Sequence, residues 1–150
     1  MKDFALSWRF TDPIYNDLPE KDLASIVPII PEQSANLWYR VVSKQSHIHL
    51  SDLGNYKYQV YIDTENEESG RKLLGKKILF DDDDDIIFFW SPKCSVITKW
   101  HTVKKYWTDF FYPDDDNTVF IGPCMLISYS EEQFFIYTNE TDIQSIVLAI

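Results

Sequence analysis

The sequence predicts an α+β fold, a mostly antiparallel sheet with helices packed on one face, and three observations carry that prediction. Ile86 to Trp90 is an unbroken apolar run suited to a central strand covered on both faces. Three short segments at 118–121, 125–129 and 133–137 follow one another through turn-forming residues. Between them, Trp100, Val103, Trp107 and Phe110 recur three or four residues apart, the spacing of one buried helical stripe. Strands joined by tight turns pair antiparallel, and amphipathic helices supply the cover that such a sheet needs. A chain of 150 residues fits a single domain, 1–150, with one core burying about two-thirds of the surface the unfolded chain exposes. Aromatic residues reach 16% against four glycines, which argues against disorder.

From the N-terminus, Leu6, Trp8 and Phe10 alternate in a short strand or extended arm that ends at Thr11-Asp12-Pro13. Pro19 opens a short helix: Glu20 and Asp22 suit its positive end, Leu23, Ile26 and Val27 form its face, and Pro28 stops it. Pro31 opens a second helix to about Lys44, carrying Ala35, Trp38, Val41 and Val42. Residues 45–77 are least determinate. Tyr56, Tyr58, Val60 and Ile62 alternate, and the polar tract from Asp63 to Lys72 suits either a hairpin loop or a charged helix. After the central strand, Ser91-Pro92-Lys93 turns the chain into a returning strand, Cys94 to Thr98, and the helix from Lys99 to Phe111 leaves Lys104, Lys105 and Thr108 to solvent. Ser130-Glu131-Glu132 joins the last two strands, and Thr141 to Ile150 forms a final strand or short helix.

A net charge of −10 disfavours direct nucleic-acid binding, because phosphates are repelled before bases are read. An acidic protein can instead occupy the basic cleft of a partner, with complementary potentials speeding encounter. Cys94 and Cys124 are too few for a disulfide scaffold and are expected as reduced thiols in apolar surroundings. Met1-Lys2-Asp3-Phe4 lacks a signal-peptide apolar region, and no window approaches the roughly 18 apolar residues of a membrane span, so the expected location is the cytoplasm, away from membranes.

Asp81, Asp82, Asp83, Asp84 and Asp85 run into the central strand, and Asp114, Asp115 and Asp116 follow one helix later. Packed carboxylates stay charged where water or a cation surrounds them, so both runs are read as one face presented to a basic partner. A gatekeeping role beside an aggregation-prone strand is the plainer alternative. Calcium is a poor match: the sixth position is Ile86 where a glycine is needed, and the twelfth is Pro92 where glutamate belongs. Cys94 with His101 lacks the electropositive setting of a nucleophilic thiol, and carboxylates would raise its pKa. His47 and His49 have no further ligands to complete a metal shell. Neither a phosphate-cradling glycine loop nor a serine elbow is present. The Trp100–Phe110 stripe reads as core. Phe111 and Tyr112 follow its end and precede Pro113 and the aspartates, so at least one of their rings is expected at the surface as an interface anchor.

Trp8-Arg9-Phe10-Thr11, Leu18-Pro19, Asp22-Leu23, Ile26-Val27-Pro28, Leu37-Trp38, Val96-Ile97-Thr98-Lys99-Trp100 and Lys104-Lys105-Tyr106-Trp107-Thr108-Asp109-Phe110 resemble an uncharacterised family of single-domain bacterial proteins over most of the chain, with 45–77 departing from the pattern. That resemblance implies no catalytic residues. In type, a small, acidic, aromatic-rich protein is also similar to the immunity proteins of contact-dependent growth inhibition, which plug toxin active sites. The expectation is therefore a non-enzymatic immunity protein without cofactor or metal. It would neutralise a cationic toxin domain, a ribonuclease or other nuclease, through Asp81 to Asp85, Phe111, Tyr112 and Asp114 to Asp116. The alternatives are a metal-dependent enzyme using clustered carboxylates and an acidic adaptor with no toxin partner.

Overall fold

The computed structural model describes residues 1–42, 56–61, 67–112, 115, 118–130, 133–138 and 143–150. Its centre is a seven-stranded sheet in which every neighbouring pair is antiparallel, in the order β1-β4-β3-β5-β6-β7-β2. The strands are β1 (Val27–Ile29), β2 (Tyr56–Tyr61), β3 (Asp85–Ser91), β4 (Cys94–Lys99), β5 (Thr118–Gly122), β6 (Met125–Ser130) and β7 (Gln133–Thr138). The helices are α1 (Trp8–Thr11), α2 (Glu20–Ala24), α3 (Pro31–Leu37), α4 (Glu67–Lys77), α5 (Trp100–Lys105), α6 (Trp107–Phe110) and α7 (Ile143–Leu148).

β3 explains its own apolar run. Successive side chains on a strand point to opposite faces. Ile86, Phe88 and Trp90 enter one apolar cluster, with Phe10, Leu74, Trp100, Val103, Trp107 and Phe110 of the larger helical layer. Ile87 and Phe89 enter the other, under Leu37 of α3, Trp38 and Val42 of the π-helical turn Trp38–Val42, and Ile143 and Ile146 of α7. The α+β class stands, with a second, smaller helical cover on the opposite face and the expected single core divided by the sheet. Each of these side chains contributes about 1.5–3 kcal/mol by leaving water. Cross-strand register adds direction: Phe88 faces Phe120, and their rings stack at 5.5 Å, 6° from parallel.

Several elements differ from the sequence expectation. The alternation at 4–10 is not a strand: the amides of Phe4, Ser7, Arg9 and Phe10 each bond the carbonyl three residues back, leading into α1. Phe4 with Trp8 and Leu6 with Phe10 are also four apart, so the same residues suit a helical period. Val27 is not helical but opens β1, a strand unmarked in the sequence because Pro28 occupies its middle; proline is tolerated there because β1 is an edge strand. The predicted helix from Lys99 to Phe111 divides at Tyr106, whose φ of −115° and ψ of 32° leave the helical region, yet its stripe of Trp100, Val103, Trp107 and Phe110 is buried as expected. The polar tract is helical from Glu67, and the tail is a short helix.

Candidate functional site

The Asp81–Asp85 run folds back on itself as a turn. The Asp84 amide donates to the Asp81 carbonyl at 3.0 Å, and the Asp84 carboxylate accepts from the Asp81 amide at 2.7 Å. Carbonyls of the same turn then satisfy the open start of α5, Asp84 accepting from the Trp100 amide and Asp82 from the His101 amide. Two carboxylates are neutralised within the chain: Asp82 pairs with Lys104 at 2.6 Å, and Asp85 with its cross-strand neighbour Lys99 at 2.7 Å. The Lys104 hydrogen bond holds the Asp82 carboxyl below its ordinary pKa. Asp81 and Asp83 are exposed and, among the described residues, carry no side-chain ion pair. Three of the five aspartates thus act on local structure, and two project charge.

Of the second acidic run, Asp115 falls within the described residues. Asp115 lies beyond the far end of β3, linked through Arg9 to Trp90, so about 17 Å of strand separates it from Asp85. Asp115 is thus held apart from the Asp81–Asp85 turn, whereas the sequence predicts one shared face. Asp114 and Asp116 lie outside the described residues, as do His47 and His49.

Arg9 organises the Asp115 end. Its guanidinium is buried, donates to both Asp115 carboxylate oxygens at 2.8 and 2.6 Å, and lies 4.2 Å from the Tyr112 ring centroid, 5.3 Å from Trp8 and 5.5 Å from Trp90. Asp115 also accepts from the Tyr112 amide at 3.0 Å, fixing that segment. Trp8 in turn packs on Tyr112 at 5.7 Å and Tyr15 at 4.8 Å. Phe111 is 2% exposed, among Phe88, Phe120, Tyr129 and Phe134, and so belongs to the core, not to a surface anchor. Tyr112 keeps partial exposure.

Beside these rings, residues 12–18 form a tightly bonded loop. Asp12 accepts from the Ile14 amide through its side chain and from the Tyr15 and Asn16 amides through its carbonyl; Leu18 closes onto Phe10. The Asn16 amide group donates at 2.8 Å to Asp109, a carboxyl only 7% exposed, whose pKa is raised by burial and partly lowered again by that bond. The loop holds Ile14 at 84% and Tyr15 at 55% exposure, next to the acids Asp12 and Asp17. None of these was foreseen as a site. Arg9 alone left a trace in the sequence: a lone cation in the apolar stretch Leu6 to Phe10 needs a carboxylate when buried.

Both cysteines are free. Cys94 is half-buried, and burial pushes its thiol up to about 11, with Arg9 opposing; the cause is desolvation and not the carboxylates. Cys124 is exposed, against expectation, at the β5–β6 turn. Among the described residues no group of three His, Cys, Asp or Glu side chains is placed to hold a metal ion, and no helix is long and apolar enough to cross a membrane.

An antiparallel sheet between two helical covers, with an acid-flanked aromatic surface at one end, defines an α+β protein. The model of the family DUF2947, described as a protein of unknown function, matches residues 1–145, and the chain belongs to that family. The matched span includes 45–77. No curated protein and no solved structure matches the chain.

Proposed function

We propose that this chain is a non-catalytic inhibitor, an immunity-type protein that binds and neutralises a basic bacterial toxin domain in the cytoplasm, most fittingly a ribonuclease. The observation that carries the reading is the loop at 12–18: a hydrogen-bonded turn holds Ile14 and Tyr15 exposed, with Tyr15 packed on Trp8, which also packs on Tyr112, within a chain of net charge −10. Large exposed apolar side chains on a preorganised, acid-flanked turn suit an anchor for a cationic surface, because little conformational entropy is lost on docking. The unpaired Asp81 and Asp83 carboxylates, at the other end of β3, add to the long-range field that draws such a partner in.

The test first asks whether a cationic domain is encoded beside this chain, and then measures binding to that domain and growth protection together. Under this reading, association slows as salt rises and slows again in Asp81→Asn/Asp83→Asn, while Ile14→Ala and Tyr15→Ala speed dissociation and remove protection. Binding indifferent to salt and to all four substitutions would sink it.

A further inference from the structure

We infer that the groove between α3 and α7 is a binding site for a small carboxylic acid with an apolar body. The groove encloses about 400 Å³, within the range that small ligands occupy. Leu37 and Ile146, both buried, form its deep side. Ala149, whose amide bonds the Ser145 carbonyl at 3.2 Å, extends the apolar wall past the end of α7. Gln33, Asn36 and Arg40 add polar groups from α3 and the turn that follows it.

The charge in this groove is uncompensated. Arg40 is the one cation among the described residues that line it, and no Asp or Glu is among them. The side chains of Arg40, Gln33 and Asn36 make no ion pair or hydrogen bond with any described residue. A guanidinium presents five N–H donors in a planar fork that matches the two oxygens of a carboxylate, and the two carboxamides supply further donors. One carboxylate balances the single positive charge. A phosphate dianion would leave a charge over, in a chain already at net −10. Leu37, Ile146 and Ala149 offer the rest of the ligand only hydrocarbon, so its body is apolar.

The backbone that carries Arg40 supplies a second observation. α3 passes directly into the π-helical turn Trp38–Val42, which contains Arg40. Bonding to the fifth residue instead of the fourth re-aims the side chains of such a turn, and π-turns are rare and frequent at functional sites. The segment Trp38-Tyr39-Arg40-Val41-Val42 has no proline or glycine to impose the altered winding. What the turn provides is a guanidinium at the edge of the apolar groove, free of any carboxylate of the described chain.

The site is tested on the full chain by following its backbone amide resonances while titrating sodium octanoate. Saturable shifts confined to 33–41 and 145–150, with a Kd below about 1 mM, are expected. Sodium acetate lacks the apolar body and octan-1-ol lacks the charge, so each should bind at least about tenfold more weakly. Arg40→Gln should weaken octanoate binding by the same factor. Ala149→Phe, at an exposed position, should also weaken it by filling the apolar wall, with unchanged sheet resonances showing that the fold is kept. Shifts that fail to saturate, that arise equally at Ile14 or Leu79, that sodium phosphate reproduces, or that survive both substitutions would overturn the assignment.

Discussion

Arg9 and Asp115, 106 residues apart in sequence, meet in a two-pronged ion pair that fastens the first helical turn to the segment before β5. Removing one partner of a buried pair strands the other charge, so Arg9→Ala or Asp115→Ala should lower stability by about 3–5 kcal/mol in urea unfolding. Arg9→Lys should rescue little, because an ammonium cannot reproduce the planar fork or lie flat against Tyr112. Full rescue by lysine would show that charge alone matters there.

The two glycines of α4 should respond in opposite directions. Gly70→Ala forces a methyl group into the Trp107 ring, which is itself held by its indole bond to the Glu67 carbonyl, and should destabilise by about 1–3 kcal/mol. Gly75→Ala meets only ordinary contacts and should stabilise by about 1 kcal/mol through helix propensity. Thermal unfolding of the pair checks both signs.

Thiol chemistry should separate the cysteines. With a pKa of about 11, Cys94 is about 10⁻⁴ thiolate at neutral pH, whereas Cys124 is exposed. A thiol reagent should label one residue rapidly and the second only on unfolding, and Cys124→Ser should abolish the rapid phase. Cys124 also sits at φ 63°, the left-handed region that disfavours a Cβ. Cys124→Gly should therefore stabilise by about 0.5–1 kcal/mol, the relief of strain less the added freedom of the unfolded chain.

Asp109 should make stability depend on pH. Its carboxyl pKa is raised by burial, so the folded state holds the proton more readily than the unfolded state does. Its contribution to stability is then greatest below the ordinary carboxylate pKa and is lost as pH rises through the raised folded value. Asp109→Asn should melt above the parent at neutral pH, with the gap closing on acidification. A gap that is constant with pH would exclude Asp109 as the titrating group.

The central strand, the three C-terminal strands and the Trp100–Phe110 stripe were legible because each repeats one periodicity over several residues. α1 was not, since Phe4, Leu6, Trp8 and Phe10 satisfy a period of two and a spacing of four equally well. β1 was hidden by the proline that its edge position tolerates. At the surface, the aspartates were conspicuous, but their pairing with Lys99, Lys104 and Arg9 depends on register and long-range closure, which no local pattern encodes. Exposure at Ile14 was equally invisible, because an isoleucine reads as core until a loop turns it outward.

The brevity of β1 reaches beyond this molecule. Amides alternate in direction along a strand, so with Pro28 on the open border the Val27 and Ile29 amides face β4, and the three residues of β1 offer an approaching strand no donor along that border. Runaway stacking of copies into fibrils needs a longer template, so on this flank the architecture carries its own brake against polymerisation.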